Sequence, residues 1–89
     1  MRIIKVLTDA TTKDEALWES VKKFYGVLAE RFKAVQKVEW YYLTDAGMSV
    51  FDIYVAKCKK SVWKEILKTI KEAKKYFVVE YRVVSTRDS

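Results

Sequence analysis

Eighty-nine residues, 51% apolar and 15% aromatic, form one expected domain with enough apolar side chain for a packed core, which excludes a disordered chain. One cysteine, Cys58, and no histidine exclude an intramolecular disulfide and a zinc centre, and Gly26 and Gly47 alone cannot build a glycine-rich phosphate loop. The whole formal charge of +6 lies in Lys57–Lys75, where eight lysines face Glu65 and Glu72, while the other residues sum to zero.

Arg2 to Thr8 is apolar except at Lys5, which predicts a central strand. With a lysine this early no signal-peptide apolar region is expected, and no run reaches the ~20 residues of a membrane helix. A cytoplasmic protein without membrane contact is expected. Thr12-Lys13-Asp14-Glu15 fits a capping box, with Thr12 capping and Glu15 reaching back. Leu17, Trp18, Val21, Phe24, Tyr25, Leu28 and Phe32 then recur at helical spacing to about Lys33. Gly26 inside this helix costs about 1 kcal/mol against alanine, so close packing on a sheet is expected there.

From Val35 to Leu43, Val38, Trp40 and Tyr42 alternate with Lys37, Glu39 and Tyr41. Thr44-Asp45-Ala46-Gly47 supplies turn residues, and Ser49–Lys57 alternates again, with Phe51, Ile53 and Val55 inward and Asp52 and Tyr54 outward. This predicts a hairpin. Ser61 is positioned to cap a second helix with Val62, Trp63, Ile66, Leu67, Ile70 and Ala73 as its apolar stripe, ending near Tyr76. Phe77, Val79, Tyr81 and Val83 alternate with Val78, Glu80, Arg82 and Val84 in a last strand, leaving residues 85–89 as a short tail.

Strand, helix, strand, strand, helix, strand is the order of the ferredoxin-like βαββαβ arrangement. The expected α+β fold is a single domain over residues 1–89 with a four-stranded antiparallel sheet ordered 4-1-3-2 and both helices on one face. The last strand lacks proline and carries few outward charges, so an unprotected edge predicts a homodimer, through that edge or through the open sheet face. The absence of Asn and Pro, a single Gln and abundant Lys and Glu give the composition of a hyperthermophile's protein.

Lys60, Lys64, Lys68, Lys71 and Lys75 recur every three or four residues and share the solvent side of the second helix. Lysines act as point charges, so this stripe predicts sequence-independent binding of nucleic-acid backbone or of an acidic protein surface, without catalysis or cofactor. Mixed pairing with Glu65 and Glu72 would instead make it a solubility feature. The open sheet face offers a second reading: Lys5, Tyr41, Asp52, Tyr54 and Arg82, with Glu39 and Glu80 nearby, could hold a small ligand between two copies, and Lys5 and Asp52 are expected to be cross-strand neighbours. RNA-recognition domains share the topology but stack bases on aromatics of strands one and three, whereas here only Tyr54 faces outward. Trp18, Trp40 and Trp63 are expected in the core.

A third reading starts from Asp9, just after the first strand, and Ser49-Val50-Phe51-Asp52. These two short patches resemble the small CRISPR-associated nucleases of similar fold, which implies a metal-dependent nuclease with Asp9 as metal ligand. The hairpin between the patches departs from that family's pattern, and one acid without an adjacent partner makes a poor cation site.

Overall fold

A computed structural model describes residues 1–8, 15–43, 47–72 and 79–85. Asp9, the expected cap Thr12, the expected turn at Thr44 to Ala46, Ala73, Lys74, Lys75 and Tyr76 to Val78 lie outside the described residues, as do residues 86–89 of the expected tail. The elements are β1 (Arg2–Thr8), α1 (Glu15–Arg31), β2 (Val35–Leu43), β3 (Met48–Val55), α2 (Lys60–Glu72) and β4 (Val79–Ser85). All strand pairs are antiparallel, in the order β2-β3-β1-β4. β1 and β3 are therefore central, and β2 and β4 are edges.

Strand periodicity decides what the helices cover. Ile4, Val6 and Thr8 of β1 and Phe51, Ile53 and Val55 of β3 point to one face and are buried. Against them α1 sets Trp18, Val21, Tyr25 and Leu28, and α2 sets Ile66 and Ile70, so both helices cover the same face. Each fully buried Ile or Leu of this layer contributes roughly 1.5–3 kcal/mol. The aromatic centre is Phe51, with ring centroids 4.8 Å from Tyr25 and 5.8 Å from Trp18. Tyr25 is wholly buried, and its hydroxyl has no hydrogen-bond partner among the described residues. Desolvation drives its pKa well above the usual tyrosine range. Thr69 sits on the buried stripe because its hydroxyl donates to the Glu65 carbonyl at 2.8 Å.

Four local expectations need correction. Val35 and Val38 both pack toward the core although three positions separate them, because a bulge between Val35 and Lys37 shifts the alternation of β2. Trp40 is on the helix side but 50% exposed, since β2 is an edge strand that the helix layer only partly covers. Its ring meets Trp18 edge-on at 5.1 Å, and Lys22 Nζ stands 5.5 Å from its centroid. Ser61 does not cap α2: the Trp63 amide already donates to the Lys59 carbonyl at 3.0 Å, which makes Lys59 the capping position. The first turn of α2 thus carries no acid to offset the helix dipole.

Gly26 is the fourth. It lies on the exposed side of α1, and a Cβ there would meet nothing within 4 Å, so no close approach explains it. Gly26→Ala is expected to raise stability by about 1 kcal/mol and the melting temperature by roughly 4–8 °C, read by thermal denaturation. An unchanged or lower melting temperature would contradict that placement. Gly47 is different, because its φ of 61° opening β3 is a conformation that favours glycine.

Candidate functional site

The lysine face is built by helix geometry. Lys60, Lys64, Lys68 and Lys71 are all exposed on α2, and at 3.6 residues per turn they fall within roughly 80° of one another. Glu65 and Glu72 lie outside that arc. Among the described residues no ion pair within 4.0 Å joins these lysines to either glutamate. Lys71 leans over the Tyr81 ring, 5.9 Å from its centroid. From Lys60 to Lys71 the face runs about 16 Å at ~1.5 Å per residue. Lys75, the fifth member of the predicted stripe, is outside the described residues.

At the head of this face lies a cleft of about 600 Å³ lined by Arg2, Val55, Lys57, Cys58, Lys60 and Trp63, among others. The Arg2 guanidinium stands 4.6 Å from the Trp63 ring centroid. Its lining holds three cationic side chains and no carboxylate, so the positive surface of α2 continues into it. Trp63, expected in the core, is half-buried: it packs against the core cluster and also lines this cleft.

The second predicted site is the sheet face away from the helices. Lys5, Tyr41, Asp52, Tyr54 and Arg82 all fall on it, as strand parity requires. Strand pairing arranges them in three rows across β2, β3, β1 and β4. The central row reads Glu39, Asp52, Lys5, Arg82. On one side lies Tyr41, Val50, Leu7, Glu80, and on the other Lys37, Tyr54, Ile3, Val84. Lys5 Nζ donates to Asp52 at 3.1 and 3.4 Å and to Tyr41 Oη at 3.4 Å. The Asp52 bond is the main reason the Lys5 pKa rises, against the opposing effect of burial. Tyr54 Oη donates to Glu39 at 3.3 Å, and Lys37 pairs with Glu39 at 2.8 Å. That bond to Lys37 holds the Glu39 carboxyl below its usual range.

The expected list of this face omitted its apolar part. Ile3, Leu7 and Val84 are half-buried, and Val50 is only 3% exposed although it points away from both helices. The continuous apolar run of β1 carried the signal, since alternate residues of a strand point to opposite faces and such a run places apolar side chains on both.

Asp9, the predicted metal ligand of a nuclease, lies outside the described residues. No group of three or more Cys, Asp or Glu side chains among the described residues is placed to hold a metal ion. No described helix is long and apolar enough to cross a membrane. No protein-family model matches the chain, and no curated protein or solved structure matches it either.

Proposed function

We propose that this chain is a non-catalytic, ferredoxin-like protein that binds the phosphate backbone of nucleic acid through the solvent face of α2. The observation that carries the reading is the set of four exposed lysines with no carboxylate partner within 4.0 Å among the described residues. Along ~16 Å a duplex displays about ten phosphates, at one charge per ~1.7 Å, so each lysine has a phosphate within reach. Lysine supplies charge without a bidentate fork, which suits positioning on the backbone rather than base readout. The Arg2, Lys57 and Lys60 side chains of the neighbouring cleft lengthen the same track. The open sheet face suits this role less, because its central row holds two anions and two cations that cancel.

A labelled duplex titrated across a salt series tests the proposal. Each phosphate neutralised contributes about −0.9 to the log–log slope, so four lysines correspond to a loss of about a hundredfold in affinity between 50 and 200 mM salt. The variant Lys60→Gln/Lys64→Gln/Lys68→Gln/Lys71→Gln is expected to flatten the slope by three to four units. Equal slopes for both proteins, or no binding by the wild type at low salt, would overturn the reading. Binding instead to a polyglutamate peptide would reassign the surface to an acidic protein partner.

A further inference from the structure

The open sheet face is a charged surface whose apolar part is largely shielded within the single chain. Val50 and Asp52 are only 3% and 7% exposed, covered by neighbours of their own chain, and half-buried Ile3, Leu7 and Val84 lie around them. The charges beside this apolar part follow an order: from β2 to β4 the central row reads minus, minus, plus, plus in Glu39, Asp52, Lys5 and Arg82. Such a row is antisymmetric about its midpoint. It therefore matches an inverted copy of itself.

We propose that two copies of this chain stack by their open sheet faces about a twofold axis that runs parallel to the strands, between β1 and β3. This rotation exchanges β2 with β4 and β3 with β1. Glu39 then faces the partner's Arg82, and Asp52 faces the partner's Lys5, so that four opposite-charge contacts form along the central row. In the neighbouring row Val50 lies over the partner's Leu7, and Tyr41 directs its hydroxyl at the partner's Glu80. In the third, Tyr54 covers the partner's Ile3, while the Lys37 stem lies along the partner's Val84. No like charges meet in any of the three rows under this one operation.

The other simple stacking is opposed when its axis passes through the same row. A twofold axis perpendicular to the strands and centred there would set Glu39 on the partner's Glu39 and Lys5 on the partner's Lys5, and like charges facing each other oppose association. Face-to-face sheets pack about 10 Å apart with strands offset by roughly 30°. Such an offset moves the outermost positions by about 4 Å, which Arg and Glu side chains span. Four strands ~4.8 Å apart and ~23 Å long give a face of roughly 440 Å² in projection, about 880 Å² for the two copies together, which is below the range of stable interfaces and in that of weak associations. A dissociation constant in the micromolar range is expected.

Charge exchange tests the axis as well as the surface. Sedimentation of the wild type at tens of micromolar is expected to give a dimer. Arg82→Glu alone and Glu39→Arg alone are each expected to raise the dissociation constant on the order of a hundredfold, since both symmetry-related contacts turn repulsive. An equimolar mixture of the two single variants is expected to recover a heterodimer of near wild-type affinity, because opposite charges again meet at both contacts. Both positions are exposed, and circular dichroism verifies folding. Should either reversal fail to fold, Arg82→Gln replaces it, with a loss of about tenfold expected. A monomeric wild type, or single variants that stay dimeric, would overturn the interface, the latter in favour of the β4 edge. Single variants that dissociate but do not pair when mixed would overturn the axis.

Discussion

Replacing Lys5 with methionine is expected to lower the stability of the fold by about 2–4 kcal/mol, or roughly 10–20 °C in melting temperature. The reason lies in what is left behind. The Asp52 side chain is only 10% exposed, and its cationic partner among the described residues is Lys5. Removing that ammonium strands a carboxylate on a central strand between Phe51 and Ile53, both fully buried on the opposite face. Breaking a fully buried pair costs about 3–5 kcal/mol, and the 30% exposure of the Lys5 side chain lowers the expectation here. Removing both charges is a different experiment. Lys5→Met/Asp52→Leu leaves no orphan and is expected to recover most of the loss, so the contrast between single and double variants separates the stranded charge from lost packing.

The pair also has a pH signature. The Lys5 pKa is raised above its ordinary 10.5 by the hydrogen bond to Asp52, so the folded state holds this proton more tightly than the unfolded chain. The stabilisation is therefore complete below about pH 10.5 and lost as pH rises through the folded value. Urea midpoints of the wild type at pH 7 and above pH 11 are expected to differ by a component that Lys5→Met lacks. A single variant within 0.5 kcal/mol of wild type would mean that water, not Lys5, satisfies Asp52.

Much of this architecture is legible in the chain because periodicity is a local property. Alternation in Ser49–Val55 and the 3.6-residue spacing of Trp18, Val21, Tyr25 and Leu28 mark a strand and a helix, and the element order then makes Lys5 and Asp52 neighbours. The lysine face is legible for the same reason. The misplaced details depend on context that spacing does not carry. The bulge after Val35 adds a residue to β2 without any glycine to mark it. Trp40 alternates as a core residue, yet its burial depends on how far the helices reach over an edge strand. The cleft joins the start of β1, the end of β3 and the start of α2, which are distant in sequence. The charge row requires the register of all four strands at once, so Glu39 and Arg82 align only after the sheet is assembled.

Stacking by the open sheet faces has a consequence for the lysine faces, because it leaves both helix layers outermost. The order through the dimer becomes helices, sheet, sheet, helices, and three layer spacings of about 10 Å place the two α2 helices about 30 Å apart on opposite surfaces. Two copies so arranged do not grip one short duplex together; they hold two. In a mixture of donor-labelled and acceptor-labelled duplexes, the wild type is expected to give energy transfer once its concentration exceeds the dimer dissociation constant. Arg82→Glu is expected to bind a single duplex with an unchanged salt slope, since Arg82 is on the face away from α2, yet to lose the transfer signal down to background. Adding an equal amount of Glu39→Arg is expected to restore it. The quadruple lysine variant is expected to fail in the opposite way, remaining dimeric while binding duplex too weakly to give transfer. Transfer that persists in Arg82→Glu would show that bridging does not pass through the sheet faces. A wild type that is dimeric and binds duplex but gives no transfer would place both lysine faces on one nucleic acid, and the twofold axis would have to be redrawn to bring them there.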